Sequence, residues 1–118
     1  MTDNTDESTT EAAHRLALLR ELAAESPADA TTQFLLGREL MAAGQAAAAA
    51  AAFEAAIRAD ADYAAAYRQL GNAQEAAGQV DAAVETYRRG VAVATRTNDL
   101  QAGKEMNAFL KRLARPGP

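Results

Sequence analysis

The sequence predicts an all-α fold, a solenoid of about six helices in antiparallel pairs, and three observations predict it. The 118 residues include 33 alanines and only six aromatics. Alanine is the strongest helix former, and the aromatic and β-branched residues that favour strands are scarce. Second, Ala-Ala-Gly-Gln occurs at 42–45 and again at 76–79, an offset of 34 residues. Third, at that same offset Leu36 meets Leu70, Gly37 meets Gly71, Gly44 meets Gly78, Gln45 meets Gln79 and Phe53 meets Tyr87. The chain has only seven glycines, so two glycine pairs at one shift mark an internal repeat. Such a period belongs to stacked supersecondary units.

Each element then follows in order. Residues 1–8 hold no apolar side chain beyond Met1 and are expected to be disordered and acidic. Ser8-x-x-Glu11 reads as a capping box opening a helix over 9–26, whose apolar stripe is Leu16, Leu19, Leu22 and Ala23 before Pro27. The first repeat, 30–63, carries Phe34, Leu35, Leu36, Leu40 and Met41 on one helix face. Gly44 ends that helix, and a second runs over roughly 46–59 with Phe53 and Ile57 one turn apart. The second repeat, 64–97, does the same with Tyr63 at its threshold, Tyr67 and Leu70, then Gly78, then Val80, Val84, Tyr87 and Val91. Small residues at Gly37, Gly71, Ala49 and Ala83 let paired helix axes approach closely. A final helix over 98–114 starts at the weaker N-cap signal Asn98-x-x-Gln101 and has Leu100, Met106, Phe109, Leu110 and Leu113 as its apolar face. Both end helices are expected to cap the stack, which otherwise exposes unburied faces. Arg115-Pro-Gly-Pro118 cannot continue a helix and is expected to be a flexible tail. The ordered part, 9–114, is thus one domain.

Composition narrows the function. With no cysteine there is no disulfide, thiolate metal site or cysteine nucleophile. A net charge of −4 argues against a nucleic-acid partner. No apolar run approaches the ~20 residues of a membrane span, and the acidic start lacks the features of a signal peptide, so the expected location is cytoplasmic. His14 is the only histidine and Ser8 and Ser26 the only serines, both serines at helix boundaries. Asp60 and Asp62 suit a helix end and an N-cap. No nucleophile or base is held by a second group, so no catalytic residue, metal site or cofactor is expected and the chain is read as a non-enzyme.

The pattern Leu36-Gly37, Gly44, Ala49, Phe53, Ala56 and then Leu70-Gly71, Gly78, Ala83, Tyr87 resembles the tetratricopeptide repeat, in a small protein of bacterial type with two full repeats plus capping helices. Gln33 stands where that family often has Trp, Gln74 where Tyr is usual, and Ala61 where a closing Pro is usual. Pro27 fills the same junction one repeat earlier. The resemblance implies a right-handed solenoid and a concave groove lined by the first helix of each pair. It places Thr31, Phe34, Leu35, Arg38, Met41 and Ala42 on the groove side of the first repeat. In the second it places Ala65, Arg68, Gln69, Asn72, Glu75 and Ala76 there.

In some members of the family, basic residues and an Asn in this groove hold a peptide's C-terminal carboxylate. Arg38, Arg68 and Asn72 offer that chemistry, since guanidinium binds carboxylate bidentately and keeps its charge. Arg68 could instead pair with Glu75 or another nearby acid. The implied function is a non-catalytic scaffold binding a protein or peptide, with an acidic segment or C-terminus as its ligand, and a monomer is expected in preference to a dimer. The alternatives are a structural module that self-associates through the Ala-rich convex face or its end caps, or an accessory subunit of a larger assembly.

Overall fold

The computed structural model describes the backbone of residues 4–115, with side chains from residue 10 onward. Residues 1–3, and the expected tail from 116, lie outside the described residues, as does the side chain of Ser8 in the capping box. Within them the chain forms six helices and no strands: α1 (Asn4–Glu25), α2 (Ala30–Ala42), α3 (Ala46–Ala59), α4 (Ala64–Ala76), α5 (Val80–Thr97) and α6 (Leu100–Leu113). Helix α1 begins at Asn4, so residues 4–8 carry helical backbone where their polarity pointed to disorder.

Three of the helix ends use one device. Gln45 N donates to Leu40 O and Gly44 N to Met41 O, with Gly44 at φ 76°. Gln79 donates to Gln74 O and Gly78 to Glu75 O, with Gly78 at φ 80°. These pairs of bonds satisfy carbonyls that the helix leaves open, and they require a left-handed residue. Asn98, at φ 59°, does the same for α5, where Asp99 N donates to Ala94 O. Asn tolerates this conformation because its short polar side chain bonds locally. The N-cap of α6 is therefore Asp99, whose carboxylate accepts from Ala102 N at 3.2 Å, and not Asn98.

Consecutive helices pack on one another, and α4 also touches α2 and α6. Helix α1 packs on α2 alone among the described helices. The stack is elongated: its radius of gyration is 15.6 Å, against about 13.5 Å for a compact domain of this length. The core runs along the stack, with Phe53, Tyr87 and Met106 wholly buried. Gly37 faces the ring of Phe53, where an added β-carbon would stand 2.5 Å from Cε1. Gly71 faces the ring of Tyr87 in the same way, and Gly90 faces Met106 and Tyr67. Aromatic rings and helix backbone can meet only where there is no side chain.

The departures from the repeat pattern have local partners. Gln33 Nε2 donates to Pro27 O at 3.3 Å, and 34 residues on Tyr67 OH donates to Ala61 O at 3.0 Å. Both bonds tie the first helix of a repeat to the preceding junction. The buried Gln74 accepts from Thr86 Oγ1 at 2.7 Å. Asp60 closes the end of α3 and accepts from Asp62 N at 3.0 Å, while Asp62 pairs with Arg96 instead of capping α4.

Candidate functional site

The first helices of successive pairs, α2, α4 and α6, share one side of the stack, and charged residues cross between the latter two. Arg68 on α4 binds Glu105 on α6 at 2.6 Å, and neither side chain is more than a third exposed. Glu75 on α4 receives both ends of the Arg112 guanidinium at 2.9 Å each. Arg112 also lies over the Phe109 ring, 5.7 Å from its centroid, and Phe109 packs on Tyr87 at 5.2 Å. The Tyr87 hydroxyl stands 2.6 Å from Glu75 Oε2 and 2.7 Å from Asn72 Oδ1. It has one proton, which the carboxylate attracts more strongly; an Asn72 amide turned about its terminal bond then donates to the phenol oxygen.

Electrostatics follow from these contacts. The Arg112 hydrogen bonds hold the Glu75 carboxyl below the usual range, and the Tyr87 hydroxyl acts in the same direction. Burial, with the Glu75 carboxylate beside it, pushes the Tyr87 phenol well above its ordinary value. Gln101 and then Arg68 hold Glu105 below the usual range. Burial and Asp60 raise the Tyr63 phenol.

The residues of the expected groove therefore divide. Arg68, Asn72 and Glu75 are engaged within the α4–α6 network, so Arg68 pairs with Glu105 and not with Glu75. Phe34 is buried: its ring stacks on Tyr63 at 4.9 Å and meets Phe53 edge-on at 5.6 Å. Met41 and Gln69 are half-buried, and Thr31 is exposed. Leu35, Arg38 and Ala42 do come together, along a cleft of about 470 Å³ between α1 and α2 that Arg15, Leu18, Leu19 and Glu39 complete. Arg15 bridges to Glu39 at 3.1 Å across its mouth. Leu35 is 41% exposed there, and among the described residues Arg38 forms no ion pair.

Sequence reasoning missed Glu105 and Arg112, and it missed the α1 side of the cleft. The first two carried a signal: Arg68–Glu105 and Glu75–Arg112 are both separated by 37 residues. That is the repeat period plus one near-turn step, which relates neighbouring first helices. Elsewhere, His14 is exposed, and in the Ala-rich stretch of α3 Ala49, Ala50 and Ala52 are buried while Ala47, Ala48 and Ala51 face outward. No group of three or more potential metal ligands stands together among the described residues, and no helix there is long and apolar enough to cross a membrane.

Known proteins share both the pattern and the shape. The family model described as tetratricopeptide repeat matches residues 9–95. A TPR repeat-containing protein of Pseudomonas aeruginosa is 35% identical over 97 residues, covering 82% of this chain and 92% of that one. A Bordetella parapertussis protein solved in solution superposes with a TM-score of 0.72 at 30% identity, over 85% of this chain and 87% of its own. The TPR2B domain of yeast Sti1, in its complex with pHsp70, superposes at 0.80 with 18% identity, over 94% and 89%. Repeat register, glycine-on-aromatic packing and these likenesses agree: the chain belongs to the tetratricopeptide repeat family.

Proposed function

We propose that this chain is a non-catalytic scaffold that holds an acidic peptide or protein segment along α2, with Arg38 as its cationic anchor. Tetratricopeptide repeats serve protein–protein interaction, and the Sti1 domain of the same fold is seen in complex with pHsp70. One observation carries the finer reading: Arg68 and Glu75 are engaged by α6, whereas Arg38 is left open beside the exposed Leu35. A carboxylate reaching Arg38 meets a permanent charge with forked donors, and an adjacent apolar side chain has Leu35 to rest on. Thr31 and Met41 extend the same surface along α2, and Gln69 continues it onto α4. Arg68 and Asn72 then act as structural ties of the groove wall.

Selection of displayed peptides on the wild-type chain tests this. Enrichment of acidic peptides is the expected result. Arg38→Glu, with its helical circular dichroism unchanged, is expected to lower their affinity at least about tenfold, and rising salt should weaken wild-type binding. Selected peptides without acidic residues, or equal affinity for Arg38→Glu, would overturn the reading.

A further inference from the structure

The two ends of the stack differ, and the difference points to a second copy of this chain as the occupant of one of them. Shifted by the repeat period, α1 corresponds to α3, with Leu18 at the position of Ala52 and Leu22 at that of Ala56. Ala52 and Ala56 are 6% and 0% exposed, because α3 lies between α2 and α4. Leu18 and Leu22 are 55% and 42% exposed, because α1 has α2 on one side and no other described helix on the other. Two leucines thus stand in water at positions where the repeat has a helix.

The opposite end is closed. One period after the buried Tyr67, Leu70, Gly71 and Gln74, α6 carries Gln101, Lys104, Glu105 and Ala108, mostly polar and none of them buried, and its exposed Leu100 (76%) stands on the flank of that face, a quarter-turn away. This end suits solvent, so α6 of one copy is poorly matched to α1 of the next, and head-to-tail growth is disfavoured. What remains for the open end is itself.

We propose that two copies pair through α1, antiparallel, about a two-fold axis at residue 20. Residues 15, 18, 22 and 25 fall on one stripe of the helix at spacings of three and four. In that register Leu18 meets Leu22 of the second copy, and Arg15 meets its Glu25. Both pairs are centred on residue 20, so one axis serves both, and each occurs twice. Glu25 is exposed and forms no ion pair among the described residues. Arg15 also pairs within its own chain with Glu39 at 3.1 Å, so Glu25 of the second copy joins an existing pair at the rim of the cleft and leaves Arg38 open. The antiparallel sense is that of every consecutive helix pair in the stack, and an isologous contact closes at two copies.

The test is sedimentation equilibrium of the full chain from about 1 μM to 1 mM, since a single helix pair lies at the small end of interface sizes. The expected mass rises from 12.4 kDa toward twice that value. Leu18→Glu/Leu22→Glu should stay monomeric at every concentration with its circular dichroism intact. Glu25→Arg, at an exposed site where folding is not at risk, should weaken association about tenfold. A wild-type mass of 12.4 kDa throughout would overturn the proposal. So would a dimer that the leucine pair does not affect, or one indifferent to Glu25→Arg.

Discussion

Gly71 lies against the ring of Tyr87 so closely that a β-carbon would overlap the ring edge. The ring is wholly buried and its hydroxyl is tied at the far end to Glu75 and Asn72, so it has no free direction of retreat. Gly71→Ala is therefore expected to cost about 2 kcal/mol, although alanine gains about 1 kcal/mol of helix propensity, and Gly71→Leu several kcal/mol. Gly103 is the control. There an added β-carbon stands 3.3 Å from the Ala94 Cβ, so Gly103→Ala should change stability by no more than about 0.5 kcal/mol either way. Urea denaturation of the three variants checks the contrast.

The turn glycines fail for a different reason. Nothing lies within 4 Å of a β-carbon at Gly44 or Gly78, so space is not the issue. Their positive φ is, and Gly→Ala at either should cost about 1 kcal/mol. Asn98 shares that conformation. Asn98→Gly should be close to neutral, while the β-branched Asn98→Val should cost about 2 kcal/mol, both read from thermal melts.

Stability should fall in acid through the α4–α6 seam. Glu75 and Glu105 have folded-state pKa values below their ordinary ones. A depressed carboxylate contributes stability that is present above its unfolded pKa of about 4.3 and is lost as the pH falls through its lower folded value. Melting temperature should hold steady from pH 7 to about 5 and drop below about 4.3. Glu75→Gln should flatten that drop. An unchanged acid slope in this variant would show that other carboxylates set it.

Removing the Tyr87 hydroxyl strands its partners. Tyr87→Phe keeps the ring over Gly71 but leaves Asn72 and Glu75 without a shared group, at a cost of about 1–2 kcal/mol. The phenol itself is held well above its ordinary pKa. In an alkaline absorbance titration, one tyrosine should therefore stay protonated until the fold opens, and Tyr87→Phe should remove that late step.

How much of this was legible in the sequence follows from the distances involved. Gly37 with Phe53 and Gly71 with Tyr87 are contacts within a repeat, and repetition printed them twice. Helix ends were legible where glycine supplies the positive φ, at 44 and 78, and missed by one residue at 98, where Asn does the same work. Arg68–Glu105 and Glu75–Arg112 were not read, because they join different repeats and α6 appears only once, as a final helix with no copy to compare. Phe34 reads in the sequence as a groove residue that the first helix could equally cover; its cover is instead Tyr63 and Phe53, ring against ring, and no period in one helix shows such a pairing. On α1, Leu22 reads as part of the packed stripe and Leu18 as no part of it, whereas both stand exposed, because only the position of the neighbouring helix decides which leucines it covers.

That α1 rests on one neighbour also shapes how the chain gains and loses order. Almost every contact joins adjacent helices, which is a low-contact-order topology that folds by short loop closures, in the microsecond-to-millisecond range for helical domains. Opening then proceeds from whichever end is held least. Leu100 to Leu113 are anchored by the buried Met106 and two ion pairs, whereas α1 is free on one flank. At concentrations where the chain is monomeric, hydrogen exchange should be fastest in α1 and slowest in α4 and α5, and limited proteolysis should trim the chain from its amino end inward.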